Sequence, residues 1–469
     1  MKNGTLAALI TCLLLFCQVR AQQQKINELI ALCLKNSYAA QTSQLMIQNA
    51  EASYVLSREI LKPRVSLVSN LPGYTRAINS ILQPDGSQRF LLQSQAYSSA
   101  GITVSQKLPF SGGEVFISSG LNRIDNFVPN SYHTWQSTPI LFSYSQPLFQ
   151  FNSTKFQKRL AELSFEIGRK NYKAQNARLV YEFVSLLMEK NFYAYSVDMH
   201  RKRLLYLDET LKHTGDMVEA GKLLKEEKDL LEIEKIRTSS ELNKLLFDLQ
   251  QSEKSLDFYL RDAADTRLEL QGALPPMIDS ALLMSGITAA SPNLLQAKVN
   301  QLNAEAEFER VAKSRGVQAS INLSVGLNQR ASNFTDVYSN PLDQETASLS
   351  LVVPLFNRRN INSQMLINKN LVKMTAMTYS KDSLMLIKNV VEQFWDYRLQ
   401  LTMQPSEERV VEMARSRFER YHDLFVAGKV SVDKLNEVEL AYRQSEITHI
   451  QNLTELWKNY YLLRTFIPD

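Results

Sequence analysis

SYSQPLF at Ser143–Phe149 and LSLVVPLF at Leu349–Phe356 are the two stretches on which the reading of this chain turns. Each passes from alternating apolar and polar residues into a long run of helical periodicity. Each is then followed by the same tripeptide at the same distance. Gly221 of Ala220-Gly221-Lys222 stands as far beyond Pro147 as Gly428 of Ala427-Gly428-Lys429 stands beyond Pro354. Between these landmarks the first copy has no proline and the second has only Pro405. A period this long is not that of a solenoid of short repeats. It predicts one unit written twice, with two similar halves forming one structure.

Upstream of each proline the apolar period is two, the mark of strands. In the second half Ala319, Ile321, Leu323, Val325 and Leu327 alternate with Ser320, Asn322, Ser324, Gly326 and Asn328. Ala347, Leu349, Leu351 and Val353 alternate with Ser348 and Ser350. The first half has comparable strands near Arg64–Asn70 and Gly101–Leu108, then two more near Glu114–Leu121 and Pro139–Gln146. The stretch from Val65 to Pro147 is more than twice as long as its counterpart from Ile321 to Pro354, and the whole excess lies within the strand region of the first half. The strands then number six, and an even number returns the chain to the side from which it set out.

Helices are expected at Ile26–Leu61, Thr154–Ala220, Lys222–Arg261, Pro292–Arg315, Ser363–Val426 and Val430–Phe466. The second is the longest and reaches ~100 Å if straight, at about 1.5 Å per residue. In the last, Ile447, Ile450, Leu453, Leu456, Tyr460 and Leu463 step by three and four, a narrow stripe suited to coiled-coil packing. The organisation is therefore a first repeat over residues 22–261 (strands about 64–147, helical hairpin 154–261), a linker over 262–290, and a second repeat over 291–469 (strands about 318–354, helical hairpin 357–466).

Lys2, the apolar run Leu6–Cys17 and Val19-Arg20-Ala21 read as a signal peptide over residues 1–21, cleaved before Gln22. Neither Cys12 nor Cys17 follows a small residue, which argues against a lipid anchor, and their removal leaves Cys33 as the single thiol. One thiol makes no internal disulfide, so packing alone holds the exported protein. The balance of 53 basic against 48 acidic residues contains no Lys/Arg block and argues against nucleic acid. With 15 glycines and 14 prolines in 469 residues, long uninterrupted elements are expected. No later segment offers the ~18 consecutive apolar residues of a spanning helix. An exported chain of this kind stays soluble or crosses a membrane as strands. Six strands do not close a membrane barrel, whose smallest examples have about eight, so spanning strands must be pooled from several chains.

The order of signal peptide, helix, strands and very long helices, given twice, resembles the TolC family of outer membrane efflux proteins. The residues that carry the resemblance are LKPRVSLV (Leu61–Val68), SYSQPLF, LSLVVPLF, VEAGKLL (Val218–Leu224) and FVAGKVSVDKL (Phe425–Leu435). The resemblance implies a mainly α protein with membrane β-structure: an internally duplicated, long-helix periplasmic tunnel whose strands join a shared trimeric transmembrane β-barrel. It makes 262–290 an equatorial linker. It implies a homotrimeric channel in the outer membrane of a Gram-negative bacterium, a passive duct from an inner-membrane pump and a periplasmic adaptor to the outside. Well-known members contribute four strands per chain, so either the barrel here has eighteen strands or the extra hairpin lies outside it. LPFSGG (Leu108–Gly113) imitates the strand-to-helix exit but is followed by another hairpin.

By the same resemblance Ala220, Gly221, Lys222, Ala427, Gly428 and Lys429 are candidate adaptor-docking helix tips. Glu226, Glu227, Asp433 and Glu437 are candidates to line the aperture, although acidic residues in a first helical turn also simply complement the helix dipole. Lys434 stands where some relatives carry an acid. No catalytic motif, metal spacing or cofactor motif is present, so no enzyme and no cofactor are expected. His200, His213, His422 and His449 read as solvated helix residues, and Trp135 and Tyr132 fall near an outer loop. The alternative reading is a soluble periplasmic coiled-coil adaptor or scaffold. Adaptors carry one helical hairpin flanked by compact β domains, whereas this chain has two hairpins and no such domains.

Overall fold

Apolar stripes of period near 3.6 become helices and runs of period two become strands, in the order the sequence sets out. The computed structural model describes residues 23–467 apart from 83, 85, 129–130, 262–264, 269–273 and 357. The expected leader, its cleavage point before Gln22, and Cys12 and Cys17 lie outside the described residues. The elements are α1 (residues 23–36), α2 (Tyr38–Glu59), β1 (Arg64–Leu82), β2 (Gln88–Lys107), β3 (Glu114–Val128), β4 (Tyr132–Leu148), α3 (Ser153–Glu219) and α4 (Lys225–Leu260). They continue with α5 (Ser280–Ala290), α6 (Pro292–Ser314), β5 (Gln318–Ala331), β6 (Leu342–Val352), α7 (Arg358–Val426) and α8 (Val432–Arg464). Pro405 lies inside α7, where it withholds one N–H from the helical ladder.

The helix expected unbroken over Ile26–Leu61 is interrupted at Ser37, whose buried hydroxyl accepts from the Ala40 N–H at 3.2 Å. The second repeat has the same device. Ser291 separates α5 from α6 and accepts from the Leu294 N–H at 3.4 Å. In both repeats a serine caps the helix that leads to the strands.

The chain divides into two compact units. One contains all six strands. They form a single antiparallel sheet in the order β1-β2-β3-β4-β5-β6. Val65, Val104, Ile117, Phe142 and Val325 lie side by side across five strands, so the extra hairpin belongs to the same sheet and shares its faces. On the opposite face the row Arg64, Ser105, Phe116, Ser143, Ser324 and Thr346 is mostly polar. Ser145 and Asn322 are hydrogen-bonded there at 2.8 Å, and Asn70 and Ser99 at 3.2 Å. The LPFSGG turn between β2 and β3 is held against the start of α3 by Asn152. Its amide donates to the Pro109 carbonyl at 2.8 Å, while its oxygen accepts from the Lys155 N–H at 3.1 Å.

The other unit holds the main apolar core. Phe183, Leu187 and Met188 of α3, Tyr397 of α7, and Ile450, Leu456 and Trp457 of α8 meet Ile26, Leu29 and Cys33 of α1 in one cluster. In the connecting region Ile278, Leu283 and Ile287 are buried in that cluster, and the Tyr397 hydroxyl donates to the Pro276 carbonyl at 2.8 Å.

Burial pushes the Cys33 thiol from 9.0 up to about 11, against a smaller opposing hydrogen bond with Ser37. The unfolded chain therefore loses this proton first, and the stability Cys33 contributes is full below about pH 9 and falls as pH rises toward 11. At pH 8 an alkylating reagent should leave Cys33 of the folded protein unmodified over a time that fully modifies the urea-unfolded chain. Mass spectrometry reads the difference.

Candidate functional site

Both glycine turns end their helix in the same way. Gly221 and Gly428 each have φ of +69°, a left-handed conformation that glycine adopts without penalty. Lys222 N–H donates to the Met217 carbonyl at 2.9 Å and Gly221 N–H to Val218 at 2.9 Å. In the second copy Lys429 N–H donates to Leu424 at 2.9 Å and Gly428 N–H to Phe425 at 2.8 Å. These paired bonds, one from the glycine and one from the residue after it, are the Schellman arrangement. A Cβ placed on Gly428 would lie 3.6 Å from the Met217 side chain, so the two turns are neighbours.

One apolar cluster sits beneath both turns: Leu207 of α3, Leu231 of α4, Phe425 of α7, and Val432 and Leu435 of α8, all buried. Ala220, Gly221, Lys222, Ala427, Gly428 and Lys429 are exposed above it. Beside the turns a hollow of about 350 Å³ is lined by residues that include Glu209, His213, Asp216, His422 and Phe425. The helices that follow start differently. Ser431 caps α8 through its hydroxyl, with the Lys434 N–H at 3.4 Å, whereas Leu224 offers α4 no side-chain cap.

The four acidic candidates are not equivalent. Glu226 and Asp433 are exposed in the first turns of α4 and α8, and Glu227 is partly covered. Glu437 is exposed but paired with Lys434 at 2.6 Å, and that hydrogen bond holds its carboxyl below the ordinary value. Its charge is already matched by Lys434.

A further constellation links the two repeats. Glu439 of α8 is 1% exposed and is hydrogen-bonded by Arg443. Its other oxygen is 3.4 Å from Nε of Arg203 on α3, and Arg203 donates to Glu234 of α4 at 3.2 Å. Arg443 also donates to the Met199 carbonyl at 2.8 Å. Burial, helped by the neighbouring Arg203, lowers Arg443 to about 10. Sequence reading passed over these residues, yet a signal existed. Glu439 lies seven residues after Val432, and Glu446 and Leu453 follow at the same interval, so carboxylates occupy the apolar stripe of α8. The histidine expectation is corrected here too. His200 and His449 are not solvated, each having a side chain only 14% exposed. His200 contacts the Ser196 carbonyl and faces Glu241, and His449 faces Glu407. The helices pack tightly on both sides of their stripes, which a linear pattern does not reveal.

Among the described residues no helix is long and apolar enough to cross a membrane, and no group of His, Cys, Asp and Glu is placed to hold a metal ion. The family model of the outer membrane efflux protein matches residues 283–465. The whole architecture is shared more widely. The fold is shared with solved outer membrane proteins. A membrane protein from Pseudomonas aeruginosa superposes with a TM-score of 0.68 at 12% identity, over 94% of this chain and 90% of that one. The CmeC outer membrane channel of Campylobacter jejuni gives 0.66 at 10%, over 94% and 85%, and the outer membrane protein VceC of Vibrio cholerae gives 0.65 at 10%, over 96% of each. A comparison with curated protein sequences finds no match.

Replacing Glu439 by Leu should destabilise the protein by about 3–5 kcal/mol, because Arg443 loses its ion-pair carboxylate while buried and Arg203 keeps only Glu234. Adding Arg203→Met and Arg443→Met should recover most of that loss. Thermal melting of the purified protein checks both.

Proposed function

We propose that the protein is an outer membrane efflux duct: a homotrimer whose strands span the outer membrane and whose paired helical hairpins form the periplasmic tunnel. It is passive and is completed by a periplasmic adaptor and an inner-membrane pump. The observation that carries this reading is the sheet. One of its faces is aliphatic and largely exposed, with Leu67 73% and Val325 55% accessible, while its other face is lined by serine and asparagine. Such a face is unfavourable in water and suited to lipid, and the polar face suits a water-filled lumen. The matching efflux-protein model over the second repeat supports the same conclusion.

The paired glycine turns are the adaptor-docking tips in this reading. They share one backbone geometry, they lie side by side, and their exposed Ala-Gly-Lys surfaces present two equivalent footholds to one type of partner. Glu226 and Asp433 supply the charge at the aperture. Rings of carboxylates favour cations, and Glu437 contributes little because Lys434 neutralises it. The soluble adaptor or scaffold reading is not favoured, since it leaves the aliphatic sheet face without a covering phase.

Cell fractionation tests the proposal. The protein should enter the outer membrane fraction as a heat-modifiable oligomer, and recovery solely from the soluble periplasm refutes the duct. Leu323→Arg, on the lipid face, should cost about 2–4 kcal/mol if near the bilayer midplane, whereas Ser324→Arg on the lumenal face should leave assembly intact; oligomer yield and heat resistance report both. In planar bilayers, Glu226→Gln with Asp433→Asn should lower the cation-to-anion permeability ratio from its unsubstituted value, and Glu437→Gln alone should not.

A further inference from the structure

β1 and β6 are the two edges of the sheet, and their residues are exposed along almost their whole lengths. In lipid such edges leave backbone N–H and C=O groups without partners, and six strands do not close on themselves. β1 and β6 run in opposite directions, so β6 of one copy meets β1 of the next as an antiparallel neighbour. We propose that this seam joins neighbouring copies and that all six strands of each take part, so that three copies close an eighteen-stranded barrel. The trimer and the membrane come from the duct reading above; the strand number and the seam come from the sheet.

Two observations support the seam. The extra hairpin is fully incorporated: β2 and β3 pair from Ser94 to Lys107, and the apolar row from Val65 to Val325 runs through them without a break. The apolar band also slants across the sheet. On β5 and β6 it lies low, at Ile321 beside Leu349 and Ala319 beside Leu351, and the row that begins at Val65 ends at Glu345. On β1 and β2 it reaches up to Ile78 beside Leu92. A level membrane cuts such a slanted band from strands that tilt in a staggered barrel. For the band to continue across the seam, β6 must slide along β1 until Leu351 lies beside Leu67. That slide sets Ala347 beside Leu71. With the irregularity between Asn70 and Gly73 adding one residue to β1, it then sets Glu345 beside Tyr74 and Asp343 beside Arg76. Leu351 then meets Leu67 and Ala347 meets Leu71, with Ser69 the one polar neighbour, beside Leu349, and the arginine on the outward face of one edge meets the carboxylates on the outward face of the other. Eighteen strands leave an aqueous channel.

The experiment is oxidative cross-linking of the full-length chain carrying Arg76→Cys and Asp343→Cys, in its own membrane fraction, read on a non-reducing denaturing gel. The buried Cys33 does not compete. Covalent trimers are expected, with neither single variant forming them and with less cross-linking when Asp343→Cys is replaced by Ala347→Cys. As a second arm, Arg76→Glu should reduce the heat-resistant trimer and Arg76→Glu with Asp343→Arg should restore it. Cross-linking from Asp343→Cys to Arg123→Cys on β3 overturns the proposal, because only four strands per copy then line the barrel. Covalent products that stop at dimers overturn it as well. A membrane trimer with no cross-link at either offset overturns the seam but leaves the duct standing, whereas a soluble unsubstituted chain overturns both.

Discussion

Backbone hydrogen-bonding groups at the edges of a sheet must find partners, and most of this architecture follows from that demand. In water an edge is tolerable. In lipid, where the proposed duct places its aliphatic face, it is not, because no solvent replaces the missing partner. In the proposed duct a chain that supplies only part of the barrel is therefore committed to assembly. It also needs an even number of strands, so that the helices before and after the sheet leave from one side. The longer strand region of the first repeat obeys this rule by adding a complete hairpin. The LPFSGG turn that makes this possible is anchored by Asn152 at the start of α3, so the added hairpin is tied to the old exit from the sheet.

The helical unit obeys a different constraint. Long helices with narrow stripes bury little area per residue, and their mutual register needs fixing at intervals. Apolar clusters do this twice, once around Trp457 and once beneath the glycine turns. Between them the Arg203–Glu234–Glu439–Arg443 constellation joins α3, α4 and α8. Such a group often contributes no more net stability than hydrophobic residues of equal volume, while losing one partner leaves a buried charge unmatched. The constellation thereby ties the two hairpins to each other.

Several features are legible from residue patterns alone: the duplication, the six strands, the long helices and the two left-handed glycines. The failures have physical causes. The pattern gives the first strand only near Arg64–Asn70, ahead of Leu71-Pro72-Gly73, yet the strand continues to Leu82. An edge strand accommodates a proline at an irregularity of pairing, and the register shift between Asn70 and Gly73 absorbs it. The break at Ser37 is hidden in the sequence because the helical spacing of apolar residues runs on past it. The burial of His200, His449 and Glu439 is hidden because amphipathic spacing identifies one face of a helix, whereas each of these helices has neighbours on more than one side.

Local chemistry, written in the order of residues, determined what each segment is: helix, strand or turn, and which face of each is apolar. It also determined that the two hairpins have equal length, since Pro147 is separated from Gly221 by the same stretch of chain as Pro354 from Gly428. Contacts between distant segments settled the rest. That β2, β3, β4 and β5 share one continuous apolar face, that Met217 lies against Gly428, and that Glu439 is buried between two arginines depend on pairings between segments far apart in the chain. No periodicity within a single segment encodes such pairings, because the free energy that selects them arises only when the surfaces meet.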